Sequence, residues 1–119
     1  MLVTFRVEDT FTYVAFVGAA WETGEITSFH GEMHQRLKEG ARCFLWDVQR
    51  LQQVDINTLG VFISTVKKVR DYGGCVVLHA ASAEVKKMLV AIKLTQVVKV
   101  FRTEAEAREA VGAPPVEAS

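Results

Sequence analysis

Hydrophobic and polar positions alternate at the start of the chain. Val3, Phe5 and Val7 are separated by Thr4, Arg6 and Glu8, the period of a strand with one dry face. A turn at 9–10 leads into the aromatic and β-branched run 11–17, closed by Gly18, which predicts a β-hairpin. The period then changes. Ile26, Phe29, Met33 and Leu37 recur at helical spacing, with Thr23 as the expected cap and Gly40 past the end, so a first helix is predicted over 24–39. Residues 41–47 are mostly apolar without alternation, as in a central strand covered on both faces.

A second helical stripe runs through Leu59, Phe62, Ile63, Val66 and Val69 and stops at Gly73 and Gly74. CysValValLeuHis at 75–79 reads as the next buried strand, and Ser82 can cap a third helix whose stripe is Val85, Met88, Leu89 and Ile92. Residues 97–101 form a last strand. Thr103 and Glu106 then fit a capping box for a short helix ending near Val111. Strands separated by helices imply right-handed parallel crossovers, so the expected fold is α/β: a mixed, mostly parallel sheet of about five strands with four helices. One domain is expected over 1–112, followed by a flexible C-terminal tail at 113–119 that carries Pro114 and Pro115.

Charge narrows the partners. Fourteen basic and fourteen acidic side chains cancel, leaving no field for nucleic acid or an anionic membrane. Low self-repulsion leaves association open, a homodimer included. Cys43 and Cys75 both sit in apolar runs and are expected to be reduced, buried thiols. No segment has the apolar length of a secretion signal or of a membrane span, about 20 residues, so a soluble, cytoplasmic protein is expected.

Chemistry is expected between the central strand and the second helix, residues 47–60, because function in parallel α/β sheets gathers at the carboxyl ends of strands. Asp55, Asn57 and Thr58 crowd that helix start, and one of them serves as its cap. With Leu59, Phe62, Ile63, Val66 and Val69 facing the sheet, helical spacing turns Thr58, Val61, Thr65 and Lys68 outward, with Ser64 at one flank. Trp21, after GlyAlaAla, reads either as core cover or as an interface anchor. His30 and His34 are four apart on one helix, but two side chains fall short of the ligands a metal site needs, so no metal is expected. His79 reads as a hydrogen-bonded residue at a strand end. Acid–base or magnesium chemistry at Asp47 and Asp55 would need further acidic residues after the first strand, where only Glu8 and Asp9 stand. Neither an enzyme nor a bound cofactor is expected.

The segment 47–60 resembles the signature of the STAS family (sulfate transporter and anti-sigma factor antagonist domains). In that family a strand ends in aspartate, and a second aspartate opens an AspSerSerGlyLeuGly helix start. Asp47 and Asp55 match the two aspartates, and Leu59 and Gly60 the closing pair. The likeness continues through 67–78, through AlaSerAlaGluValLysLysMetLeu at 81–89 and through ThrGluAlaGluAla at 103–107. The resemblance implies an anti-sigma factor antagonist-like module binding an anti-sigma factor or serine kinase-type protein. In relatives the second serine of the motif is phosphorylated, adding charge to a contact surface and breaking the complex.

Here Ile56 and Asn57 stand over the two serines and Thr58 over the glycine. Asn57 has no hydroxyl to phosphorylate and, being uncharged, resembles the unmodified serine. The expected switch position is therefore Asn57, fixed in a binding-competent form, with Thr58 phosphorylation as the variant reading. The implied partner surface comprises Trp21, Glu22, Asp55, Asn57, Thr58, Val61, Ser64, Thr65 and Lys68. Alternative readings are a subunit of a signalling scaffold or of a transporter ATPase complex, and a nucleotide or anion sensor.

Overall fold

The computed structural model describes residues 1–8 and 10–112. Its elements follow the predicted order: β1 (Leu2–Val7), β2 (Thr12–Gly18), α1 (Glu25–Lys38), β3 (Cys43–Leu51), α2 (Ile56–Asp71), β4 (Cys75–His79), α3 (Ala83–Ala91), a 3-10 turn (Leu94–Gln96), β5 (Lys99–Phe101) and α4 (Glu104–Gly112). The sheet order is β1-β2-β3-β4-β5, with β1 antiparallel to β2 and the remaining pairs parallel.

Each parallel crossover advances one strand in the same direction, and right-handed crossovers of that kind put α1, α2 and α3 on one face of the sheet. Phe29, Met33 and Leu37 from α1, Phe62, Val66 and Val69 from α2, and Val85 and Leu89 from α3 there join Val14, Phe16, Phe44, Trp46, Val76 and Leu78 from the strands. The centre is aromatic: Phe16, Trp46 and Phe62 have ring centroids 5.1–5.3 Å apart in tilted or edge-on arrangements. Alternate strand positions point to the other face, where α4 lays Ala107 and Val111 against Tyr13, Leu45 and Val77. Among the described residues no helix is long and apolar enough to cross a membrane.

Several expectations change in detail. Val7 is 71 % exposed rather than on the dry face, because it ends an edge strand beyond the helix cover. β3 begins at Cys43 and runs past Asp47 to Leu51, since Arg50 and Leu51 still pair with Val17 and Gly18 of β2. Its polar end, Gln49 and Arg50, is exposed, which hid it from a hydropathy reading. Thr23 does not cap α1. The cap is Gly24, whose φ of 87° favours glycine and which has no side chain to bond a helix N–H; in the loop before it the Glu25 carboxylate accepts from the Glu22 N–H at 2.6 Å. Ser82 caps α3 as expected, accepting from Val85 N–H at 3.1 Å, and Thr103 caps α4 by accepting from Glu106 N–H at 3.2 Å. The last strand is shorter than 97–101, because the 3-10 turn carries the chain as far as Gln96 and pairing begins at Lys99. Cys43 and Cys75 are half-buried and exposed, respectively, at the rim of the sheet, not sealed in the core. α4 runs to Gly112, and the expected tail at 113–119 lies outside the described residues.

Candidate functional site

The carboxyl end of β3 delivers the chain to α2 next to the loop after β2. Asp55 sits in extended backbone, φ −96° and ψ 179°, and caps α2. Its Oδ1 accepts from the Thr58 backbone N–H at 2.8 Å and from the Thr58 hydroxyl at 3.0 Å. The same hydroxyl accepts from the indole Nε1–H of Trp21 at 2.9 Å. Trp21, Thr58 and Asp55 thus form one chain of hydrogen bonds that ties the loop after β2 to the first turn of α2. Those bonds, the backbone N–H of Thr58 first, hold the Asp55 carboxyl below the ordinary aspartate value against partial desolvation.

Trp21 is half-buried, with its ring centroid 5.8 Å from that of Phe29. It therefore covers the core and clamps the loop at once. Glu22 beside it is exposed.

The expected outward face of α2 is rotated. Thr58 is fully buried, Val61 is 4 % exposed and Thr65 2 %, whereas Ile63, expected inside, is 44 % exposed. Capping by Asp55 starts the helix at Ile56, and the Trp21 loop together with α1 packs on the flank carrying Thr58, Val61 and Thr65. Two of those residues are threonines, so a stripe drawn through apolar positions missed them. Phosphorylation of Thr58 does not fit this geometry, because its enclosed hydroxyl both donates and accepts inside the cluster.

Outward from the first turn of α2 point Asn57, which is exposed, and Ile56, 83 % exposed. The exposure of Ile56 was not among the sequence expectations. The signal was its place directly after the capping aspartate, where a side chain precedes the buried stripe. Ser64 and Lys68, both exposed, line a groove of about 200 Å³ between α1 and α2 with His30, Met33, Leu37 and Thr65. The Ser64 hydroxyl stands 3.3 Å from His30 Nε2. The structure therefore gathers Trp21, Asp55 and Thr58 into a support, leaves Asn57 and Glu22 on the surface, sets Ser64 and Lys68 farther along α2, and withdraws Val61 and Thr65 into the core.

The other aspartate of the motif does separate work. Asp47 projects to the α4 face, where its Oδ2 accepts from the Tyr13 hydroxyl at 2.5 Å and lies 3.5 Å from His79 Nε2. Its Oδ1 accepts from Gln49 N–H at 2.9 Å. Burial and the Asp47 carboxylate push the Tyr13 phenol upward, so it remains a donor. Asp47 and Asp55 thus hydrogen-bond to different partners. No group of three or more His, Cys, Asp or Glu side chains able to hold a metal occurs among the described residues.

The STAS domain model matches residues 12–107 of the chain. A search of curated proteins gave no match. Among solved structures, the chain is similar to the anti-sigma factor antagonist SpoIIAA in its unphosphorylated form, with 15 % identity, TM-score 0.79 and coverage of 96 % of this chain and 99 % of that one. It is also similar to the Thermotoga maritima protein TM1081, with 20 % identity, TM-score 0.76 and coverage of 92 % and 94 %. The STAS-domain anti-sigma-factor antagonist of Planctomyces limnophilus matches at 17 % identity, TM-score 0.75 and coverage of 92 % and 96 %.

Proposed function

The chain belongs to the STAS domain family, and from that premise we propose that it is a regulatory, non-enzymatic binding module of the anti-sigma factor antagonist kind. Its partner is an anti-sigma factor or serine kinase-type protein, docking on the first turn of α2. The observation that carries this reading is the exposed pair Ile56 and Asn57, set on a turn whose own hydrogen bonds are consumed internally by Asp55, Thr58 and Trp21. An isoleucine 83 % exposed beside a neutral amide offers apolar contact and hydrogen bonding without charge.

Where a phosphorylatable serine would place a switch, Asn57 keeps the surface uncharged. The nearest hydroxyl, that of Thr58, is enclosed. The module therefore stays competent to bind while a kinase partner holds ATP. The test is size-exclusion chromatography of the protein with anti-sigma and serine kinase-type proteins from its own genome, with Mg²⁺ and ATP, followed by intact mass measurement. Co-elution with an unchanged mass is expected. Phosphate on the first turn of α2, or failure of every such protein to co-elute, would overturn the reading.

A further inference from the structure

Cys43 and Cys75 open β3 and β4 and face each other across the parallel ladder. Their sulfurs are 3.3 Å apart, with the Cys75 thiol donating to the Cys43 sulfur, although the residues are 32 positions apart in sequence. Neighbouring strands lie about 4.8 Å apart, inside the roughly 4.4–6.8 Å range of Cα separations that a disulfide spans. The pair also sits at the rim of the sheet, with Cys75 exposed and Cys43 half-buried, so a small reagent reaches it without opening the core. They are the only two cysteines of the chain, which leaves no competing internal pairing.

We infer that Cys43 and Cys75 form a redox modification site, a dithiol that a low-molecular-weight disulfide converts into an intramolecular disulfide joining β3 to β4. One cysteine, as thiolate, attacks a sulfur of the reagent RSSR. The reagent's S–S bond breaks, a mixed disulfide forms and RS⁻ leaves to be protonated. The second cysteine, as thiolate, attacks the protein sulfur of that mixed disulfide, forming the Cys43–Cys75 bond and releasing the second RSH. Two electrons pass from the protein to the reagent, and the two thiol protons end on the released thiols.

Desolvation and the neighbouring Cys43 sulfur push the Cys75 thiol up to about 12, so the exchange accelerates as pH rises and more thiolate forms. The bond would join the amino-terminal ends of β3 and β4, at the edge of the sheet opposite the first turn of α2.

The test treats the folded, reduced chain with oxidised glutathione at a series of pH values from about 8 to about 10, the thiolate fraction rising along the series, and then blocks free thiols with iodoacetamide. Without oxidant, two alkyl groups are expected. After oxidation none is expected, the mass falls by two hydrogens, the protein runs as a monomer on a non-reducing gel, and one cross-linked peptide contains Cys43 and Cys75. Dithiothreitol restores both labels. Cys43→Ser and Cys75→Ser each stop at a mixed disulfide carrying one glutathione. Two labelled thiols persisting in the oxidised wild type, two stable glutathione adducts, or cross-links only between molecules would each overturn the inference.

Discussion

Thr58→Val tests the support beneath the candidate surface. Valine keeps the shape of threonine and replaces only the hydroxyl, so the fully buried site gains no cavity. Two hydrogen bonds disappear: the 2.9 Å bond from Trp21 Nε1–H and the 3.0 Å bond to Asp55. The backbone bond from Thr58 N–H to Asp55 remains, so the cap survives. The half-buried indole N–H loses its acceptor, costing about 1 kcal/mol, and loss of the bond to the partly exposed carboxylate adds about 1 more, for a total near 2 kcal/mol. Urea unfolding followed by fluorescence measures it, with Asn57→Ala as the surface control expected within about 0.5 kcal/mol of wild type. In a double-mutant cycle, Trp21→Phe and Thr58→Val should couple by about 1 kcal/mol. A Thr58→Val cost below about 0.5 kcal/mol, or additivity of the two changes, would refute the hydrogen-bonded support.

Three further outcomes follow from packing and capping. Phe62→Ala, which empties the fully buried position between Phe16 and Trp46, should cost about 3–5 kcal/mol in denaturant unfolding. Gly74→Ala would put a Cβ 2.1 Å from the Arg42 carbonyl oxygen and 2.9 Å from a Val69 methyl, so a loss of about 2–3 kcal/mol should appear as a lowered Tm. The Asp55 carboxyl is depressed in the folded protein, so its cap contributes above the unfolded aspartate value and fades as pH falls through the folded value. Wild-type stability should therefore decline below about pH 4 relative to Asp55→Asn, in which asparagine caps without titrating. Parallel urea melts of the two proteins across that range measure the difference.

Element order was legible because apolar periodicity is local: the change from alternation in β1 to the Phe29, Met33, Leu37 stripe of α1 needs no knowledge of neighbours. Caps were legible where the side chain does the capping, as at Ser82 and Thr103, and not at α1, where Gly24 caps through backbone conformation. The face of α2 was misread for a non-local reason. Thr58 is buried because its hydroxyl finds Trp21, a partner 37 positions away, and hydropathy counts a threonine as surface. The Tyr13, Asp47 and His79 cluster and the facing of Cys43 and Cys75 likewise come from strand register, which alternation within one strand does not specify. The resemblance carried by Asp47 through Gly60 located the candidate surface and placed Ile56 on the motif, while the 83 % exposure of that side chain emerged only from the fold.

In the proposed complex a neutral first turn of α2 holds the partner. Isothermal titration of a co-eluting anti-sigma or kinase-type protein with wild type and Asn57→Asp tests it most directly, because the substitution adds one charge to an exposed position and leaves the cap and core untouched. Asn57→Asp should bind at least about tenfold more weakly, equivalent to about 1.4 kcal/mol. Equal affinity of the two proteins would contradict it.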